Sequence, residues 1–507
     1  MNVVKASAPV AVIGAGTMGI GIAQVAASAG HPVKLYDIAL PAAARALEQL
    51  RQRLRERVDA GKADATSTET LLGNIKLASS LSDLSDSVLV IEAVAEKLEI
   101  KQSLFRDLET LCSPDTLFAS NTSSLSITAI ASALQHPQRM AGLHFFNPAP
   151  LMKLVEIVSG LETSPLTLDT LQALAQHWGK HSVICRSTPG FIVNRVARPF
   201  YAETLRALEE RIAEPATLDA VLRDAGGFAM GPLQLTDLIG QDINYSVTES
   251  VYHAFFQDDR FIPSLIQQEL VSAGHLGRKR GRGFYRYDNK QAIPQAALAK
   301  AESGPLPQAV TLYGDWSAMA EFARLLAGSG AAFKNHGHTS IYATLDEVTI
   351  MLTNGKTASQ VAEETGAPVV LFDLSANYQH APVIAISSAE QNTAAQTAKV
   401  IGLLQSFGKQ VIHLPDYPGL LVMRTVAMLS NAALDVVNQG VANADDTDTA
   451  MRFGVNYPQG PIAWGKKLGW QHILTTLENL QGYYAETRYR PTPLLRRYAA
   501  NYSGAKC

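Results

Sequence analysis

Val10-Ala-Val-Ile-Gly14-Ala-Gly16-Thr17-Met18-Gly19 is the stretch whose reading decides the fold. Val10 to Ile13 is a compact apolar strand, and three glycines follow it at once in the spacing GxGxxG. An alanine-rich helical run continues to Ala29, His31-Pro32 turns the chain, and a second strand from Val33 to Tyr36 ends at Asp37. Strand, glycine turn, helix, strand and acid in this order are the grammar of a dinucleotide-binding βαβ unit. Gly14 permits the tight turn, Gly16 lets a pyrophosphate approach the backbone, and Gly19 lets the helix pack closely on the strand. The helix N-terminus, with Thr17 and Met18, turns unpaired N–H groups toward the phosphates. Asp37 stands where a carboxylate accepts both ribose hydroxyls and repels an extra phosphate, so the expected cofactor is NAD rather than NADP. A fortuitous glycine turn is the competing reading.

Outward from this unit, residues 41 to 61 read as a long arginine-rich helix carrying Arg45, Arg51, Arg53, Arg55 and Arg57. It is either a solvated face or, with Lys62 beyond it, a basic wall for an anionic carrier such as coenzyme A. Val88 to Ala93 reads as a fully apolar strand, with Glu96 and Lys101 at the start of the next helix. The strand Leu117 to Ser120 opens into Asn121-Thr-Ser123-Ser124, polar residues at a strand's carboxyl end, where open α/β sheets bind ligands; helix capping alone also explains them.

Next come two short strands, Met140 to His144 and Met152 to Val158, joined by a proline-bearing turn. They can bring His144 face to face with Glu156. A carboxylate on one ring nitrogen fixes the tautomer and leaves the other nitrogen to take a proton. A structural histidine beside a solvated glutamate is the bland alternative. After the strand Ser182 to Cys185 the periodicity changes, and residues 189 to 272 are helical in character. The basic loop Gly277 to Tyr285 is too short, and too poor in interleaved aromatics, for an RNA-binding patch.

Residues 290–306 read as a linker. From Val310 to Leu414 the α/β pattern returns without GxGxxG, which predicts a reduced dinucleotide-type fold that binds no cofactor. Then Gly179-Lys180, Pro189-Gly190, Arg195, Asp219 and Gly231-Pro232 recur as Gly408-Lys409, Pro418-Gly419, Arg424, Asp448 and Gly460-Pro461, always 229 residues on. An ungapped match of this length is a duplicated helical domain. Met423 replaces Asn194 in the second copy, so the chemistry is expected to stay with the first.

The 507 residues have room for about three or four domains. Hydrophobic residues at 47% and charged residues at 18% indicate a folded protein, and a net charge of −3 offers no basic field for nucleic acid. The three cysteines (Cys112, Cys185, Cys507) lack metal spacing and suit a reducing compartment. No charged-then-apolar leader opens the chain, and no apolar stretch approaches membrane-spanning length. The expectation is a cytoplasmic enzyme with neither metal nor membrane nor nucleic-acid partner.

GAGTMG, SNTSS, HFFNP…MKLVE, TPGFIVNR and GRGFY, standing in this order, resemble the 3-hydroxyacyl-CoA dehydrogenase family over residues 9–287, with 408–470 as a second copy. The resemblance implies an NAD-dependent oxidation of a (3S)-3-hydroxyacyl-CoA to the 3-oxoacyl-CoA. It implies His144 as catalytic base, Glu156 as its carboxylate partner, and Ser123 and Asn194 as hydrogen-bonding groups around the substrate. Asp37, Glu96, Lys101, Asn121, Ser123 and Asn147 would border NAD, and Lys62 would meet the CoA. The two-copy arrangement resembles the branch that serves phenylacetate catabolism, which implies 3-hydroxyadipyl-CoA as substrate; 3-hydroxybutyryl-CoA is the alternative. A cation at the acyl end would then have to read a carboxylate, and Arg195 and Arg198 are candidates that could equally form structural salt bridges. The rival classes are a non-catalytic NAD-binding structural protein and, ranked last, a sugar or phosphogluconate dehydrogenase.

The expected architecture is therefore a Rossmann-type NAD-binding domain (1–187), an all-α domain resembling that of 6-phosphogluconate dehydrogenase (188–289), a linker (290–306), a reduced Rossmann-like domain (307–414) and a second helical copy (415–507). Relatives with one copy pair these helical domains between subunits, so the two copies are expected to pair within this chain; a homo-oligomer beyond that is possible.

Overall fold

The computed structural model describes residues 7–288, 293–302, 304, 306–328, 330, 332–334 and 341–503. Linker positions 290–292, 303 and 305, and Cys507, lie outside the described residues. The chain forms two compact units, one of residues 1–193 with 439–455, the other of 194–438 with 456–507.

The first unit is built on eight strands: β1 (Val10–Ile13), β2 (Val33–Tyr36), β3 (Ile75–Leu77), β4 (Leu89–Glu92), β5 (Leu117–Ser120), β6 (Met140–Phe145), β7 (Leu154–Ser159) and β8 (His181–Arg186). Their order in the sheet is β3-β2-β1-β4-β5-β6-β7-β8. All neighbours are parallel except β6 and β7, which run antiparallel. Val10, Val12, Leu89, Ile91, Phe118 and Ala119 are fully buried, as strands covered on both faces must be. Helix α1 (Thr17–Ser28) follows β1, and α2 (Leu40–Asp59) follows β2. Pro41 stands in the first turn of α2, where its missing N–H costs nothing. It buries Ala43, Leu47, Leu50 and Leu54, a stripe of three- and four-residue spacing that turns the arginines outward. Helices α3 (Ala65–Asn74) and α4 (Leu98–Leu111) complete the part that surrounds the candidate site.

Edge strand β8 does not end the unit. Residues 439–455, from far down the chain, cover it: Arg186 N donates to Val441 O at 2.9 Å, and the Phe453 ring stacks on His181 with centroids 4.0 Å apart. An exposed edge that would template foreign strands is thereby closed.

The second unit holds the reduced Rossmann domain and the two helical copies, less residues 439–455 of the second. Its sheet has seven strands: β9 (Val310–Tyr313), β10 (Ala332–Lys334), β11 (Tyr342–Leu345), β12 (Val348–Leu352), β13 (Val369–Phe372), β14 (Val383–Ser388) and β15 (Gln410–His413). The order is β10-β9-β11-β12-β13-β14-β15 with mixed directions. Gly314-Asp-Trp-Ser-Ala-Met319 stands where a phosphate loop would, and Trp316 is buried there. The two helical copies pack on each other within this unit, as the duplication predicts. Arg424 of the second copy donates through Nε to Glu203 Oε2 of the first at 3.0 Å, with both side chains fully buried. Tyr489 OH donates to the same oxygen at 3.0 Å.

Candidate active site

Strands β1, β4, β5 and β6 run parallel, so their carboxyl ends gather at one edge of the sheet. The glycine loop, Glu92, Asn121 and His144 all arrive there. At the loop, Gly14 takes φ 96°, and a methyl added to it would sit 2.4 Å from Ala93 O. One added to Gly19 would sit 1.7 Å from Gly14 O, so the helix can lie on the strand only as glycine. A methyl on Gly16 would meet no protein atom within 4 Å, which leaves that face open to a ligand. Gly16 is also the N-cap of α1 and offers no side-chain acceptor to the first-turn N–H groups, while Thr17 is exposed beside them. Asp37 accepts from Ala15 N at 2.8 Å through Oδ2 and from Ala39 N at 2.9 Å through Oδ1. Its carboxylate is thus fixed beside the loop. An open glycine, free helix N–H groups and a fixed acid together fit the pyrophosphate and ribose of NAD.

His144 and Glu156 are register partners on β6 and β7, so their side chains emerge side by side from the same face. His144 Nδ1 lies 2.7 Å from Glu156 Oε2, and the ring packs against Phe146 and Phe191. Glu156 is fully buried and its other oxygen accepts from Ile192 N at 3.0 Å and Val193 N at 2.9 Å. Three donors converge on the carboxylate, and a carboxylate acceptor at Nδ1 assigns the proton of the neutral ring to Nδ1. Nε2 is left as the basic nitrogen. The backbone that supplies two of the donors reaches Glu156 through Gly190 at φ 72° and Phe191 at φ 48°, a strained turn for phenylalanine. The second copy repeats the backbone turn at the 229-residue spacing, but there the acceptor is Asp373, at the position of His144, and Ala385 stands where Glu156 does. Leu420 has φ 46°, and Asp373 accepts from Leu421, Val422 and Met423 N–H groups. Burial raises Asp373 to about 6 despite these bonds.

The loop after β5 is positioned from below. Glu96 Oε1 accepts from Thr122 Oγ1 at 2.6 Å, Ser123 N at 3.0 Å and Ser124 N at 3.2 Å. Ser123 is thereby held by its amide, and its hydroxyl makes no hydrogen bond among the described residues. Asn121 Oδ1 accepts from Phe145 N at 2.8 Å and ties the loop to the strand of His144. Lys101 is 1% exposed, between Glu92 Oε1 at 2.5 Å and Glu96 Oε2 at 3.2 Å. Burial pushes the Glu96 carboxyl up, but the Lys101 ammonium, the Thr122 hydroxyl and the Ser123 amide outweigh it and hold its pKa below the ordinary value. Glu92 was not among the expected site residues. The strand taken as fully apolar carries it at its last position, where it is fully buried and also accepts from Ser120 Oγ at 2.6 Å and Val94 N at 2.7 Å. The readable signal was an acid closing a run of aliphatics.

A cleft of about 1110 Å³ opens beside the glycine loop, lined among others by Gly16, Thr17, Arg53, Arg57 and the turn from Asn147 to Leu151. Lys180 Nζ clamps that turn by donating to Ala149 O at 2.6 Å and Met152 O at 2.7 Å. The four arginines from 51 to 57 divide in two. Arg51 pairs with Glu48 and Arg55 with Glu69, while Arg53 and Arg57 face the cleft. Lys62 is exposed in the turn after α2 and does not line it. Asn194 opens the second unit on the helical turn Val193–Val196.

A basic imidazole nitrogen on the same sheet edge as a dinucleotide loop can take a hydroxyl proton while the hydride leaves the same carbon. Fold and site define a nicotinamide-dependent dehydrogenase of the alcohol-oxidising kind. Comparison with known proteins narrows this. Residues 9–188 match the model of the 3-hydroxyacyl-CoA dehydrogenase NAD-binding domain, and residues 190–287 and 419–506 both match its C-terminal domain. Residues 350–418 match the reduced Rossmann-fold domain described for 3-hydroxybutyryl-CoA dehydrogenase. The chain is 50% identical over 497 residues, 98% of each chain, to the 3-hydroxyadipyl-CoA dehydrogenase of Escherichia coli K12. It is 42% identical over 279 residues to a probable 3-hydroxybutyryl-CoA dehydrogenase of Bacillus subtilis, covering 55% of this chain and 97% of that one. A crystal structure of 3-hydroxybutyryl-CoA dehydrogenase from E. coli K12 superposes with a TM-score of 0.89 at 48% identity, covering 98% of this chain and 99% of that one. The chain belongs to the 3-hydroxyacyl-CoA dehydrogenase family: it is an oxidoreductase that uses NAD to oxidise the 3-hydroxyl of a 3-hydroxyacyl-CoA. Among the described residues no helix is long and apolar enough to cross a membrane.

Proposed function

We propose that the substrate is (3S)-3-hydroxyadipyl-CoA, in the pathway that degrades phenylacetate. The observation that carries this is the 50% identity, over 98% of both chains, to a relative named for that substrate. The E. coli structure described as a 3-hydroxybutyryl-CoA dehydrogenase supports a second reading, 3-hydroxybutyryl-CoA.

In the proposed mechanism His144 Nε2 removes the proton of the 3-hydroxyl. Glu156 accepts from Nδ1 and stabilises the imidazolium that forms as the proton is taken. NAD, when bound, supplies the hydride acceptor. The Ser123 hydroxyl and the Asn194 amide hold the reacting oxygens, and orientation of this kind can be worth several kcal/mol. Gly14, Gly16, Thr17, Met18 and Gly19 carry the pyrophosphate and Asp37 the ribose. Glu96, Asn121 and Asn147 border the cofactor, and Lys101 supports this border by setting the charge and position of Glu96. For the CoA nucleotide, Arg53 and Arg57 are proposed ahead of Lys62, because they and not Lys62 line the cleft. The enzyme is proposed to act in the cytoplasm, with domain limits near 187, 289, 306 and 414.

The test is NADH formation by the purified protein with 3-hydroxyadipyl-CoA and 3-hydroxybutyryl-CoA at matched concentrations. A kcat/KM at least about tenfold higher for the adipyl substrate, roughly 1.4 kcal/mol of discrimination, is expected. Equal turnover of both would remove the adipyl assignment, and turnover of neither would revive a non-catalytic role.

A further inference from the structure

Several arginines in the core of the second unit have a carboxylate beside them. Arg195 pairs with Asp435 at 2.7 Å, Arg206 with Glu486 at 2.6 Å, Arg260 with Asp258 at 2.9 Å and Arg424 with Glu203 at 3.0 Å. Arg195, one of the two arginines that could read a substrate carboxylate, is thus engaged in structure. Arg198 differs. It is 5% exposed, donates to Thr248 Oγ1 at 3.0 Å and lies 5.0 Å from the centre of the Tyr201 ring. Its Nε has no acceptor, and among the described residues no carboxylate pairs with it. The Tyr457 hydroxyl, within electrostatic reach of Arg198 on a side chain 5% exposed, is also without a partner. Buried donors are normally satisfied, and a buried cation normally has a counter-charge. An anion beside Arg198 would supply the missing counter-charge, with the Tyr457 hydroxyl in its neighbourhood. Burial depresses the Arg198 pKa, the direction expected of a cation that lacks its partner.

There is room for a small group. Arg198, Thr248, Gln267 and Arg488 line a cavity of about 70 Å³ together with Glu209, Tyr457 lying outside this lining, and Arg488 Nε also lacks an acceptor. The position along the chain says whose anion it is. Asn194 and Arg198 are four residues apart, joined through Ala197 at φ −75°, ψ −12° and so on one helical face. Four residues rise about 6 Å along a helix. In an extended six-carbon acyl chain three bonds of about 1.5 Å separate C3 from the terminal carboxyl carbon, a span of roughly 4 Å before its oxygens and the guanidinium bridge the rest. A four-carbon chain ends too early to reach.

We propose that Arg198, seconded by Tyr457, receives the terminal carboxylate of a six-carbon dicarboxylic acyl-CoA and so sets the acyl specificity. This rests on the 3-hydroxyadipyl-CoA reading and on Asn194 holding an acyl oxygen. A free inorganic anion is the other source of the same chemistry.

The experiment compares kcat/KM for 3-hydroxyadipyl-CoA with that for 3-hydroxyhexanoyl-CoA, equal in length but ending in methyl, in the wild type, Arg198→Met, Arg198→Lys and Tyr457→Phe. A charge-assisted hydrogen bond makes the expected wild-type preference about 10- to 100-fold. Arg198→Met should bring the ratio to within about threefold of one, with Arg198→Lys and Tyr457→Phe between. A wild-type ratio near one overturns the dicarboxylate reading and this proposal with it. A large wild-type ratio that survives Arg198→Met leaves the reading intact and overturns the proposal. Should Arg198→Met fail to fold by circular dichroism, an unchanged ratio in Tyr457→Phe overturns it instead. Sulfate that raises the wild-type Tm but not that of Arg198→Met, with the substrate ratio unaltered, would assign the cavity to a free anion and overturn the substrate role.

Discussion

Replacing Glu156 by glutamine changes almost no volume and removes one charge, which isolates what the carboxylate does for His144. The wild-type group accepts from His144 Nδ1 at 2.7 Å and from two backbone amides at 2.9 and 3.0 Å. An amide cannot satisfy all three. With its oxygen on the backbone amides, its NH₂ faces Nδ1 and drives the imidazole to the tautomer protonated at Nε2, which cannot take a proton from substrate. With the amide flipped, the NH₂ meets two N–H donors and the helix start is pushed away. General-base catalysis is worth about 10²–10⁴-fold, and an amide in place of a carboxylate behind a catalytic histidine has cost about 10⁴ in hydrolases. The expected loss in kcat is therefore about 10²- to 10⁴-fold, roughly 3–5 kcal/mol in barrier height. The assay is steady-state NADH formation across the neutral and alkaline range, with NAD affinity measured separately by calorimetry. Affinity for NAD should hold, because the glycine loop is a separate structure. A variant within tenfold of wild type, or one whose lost activity tracks lost NAD binding, would refute the reasoning.

Other outcomes follow from the same structure. Lys101→Met leaves Glu92 and Glu96 without their shared cation, and breaking a buried pair of this kind costs about 3–5 kcal/mol. The folded pKa of Glu96 lies below its ordinary 4.5, so its stabilisation is fully present above pH 4.5 and lost as pH falls through the lower folded value. Urea unfolding from neutral to acid pH should accordingly show the gap between wild type and Lys101→Met narrowing at the acid end. Gly19→Ala places a methyl against Gly14 O and should abolish measurable NAD binding in calorimetry while α4 and the helical copies stay folded by hydrogen exchange. Arg424→Leu strips Glu203 of its buried partner and should lower Tm by several degrees in scanning calorimetry, about 3–5 kcal/mol, without changing KM for NAD.

Backbone-dictated features were the legible ones. Gly14 and Gly19 each do something only glycine does and Gly16 leaves its face open, so three letters in register defined the strand, turn and helix around them. The His144–Glu156 pairing was legible because a turn between two short apolar runs leaves few registers. The duplication was legible as a constant spacing, and the packing of its copies followed from that. Tertiary facts were not legible. Nothing local says that residues 439–455 leave their own copy to cover strand β8, because the hydrogen bond from Arg186 to Val441 spans chain positions far apart. Glu92 was hidden inside an aliphatic run, where period and composition both read as core. Strands β10 to β12 and β15 are hard to read locally, being short segments of a mixed sheet without the regular strand–helix alternation. Lys101 was expected at the border of NAD, and only the fold shows two acids enclosing it.

The central claim is that His144 is the base of an NAD-dependent 3-hydroxyacyl-CoA oxidation, and His144→Asn tests it most directly. Single-turnover NADH formation with saturating 3-hydroxyadipyl-CoA should fall by about 10²–10⁴-fold, with NAD affinity within about twofold of wild type. Turnover at more than a tenth of the wild-type rate, with NAD still bound, would contradict the account.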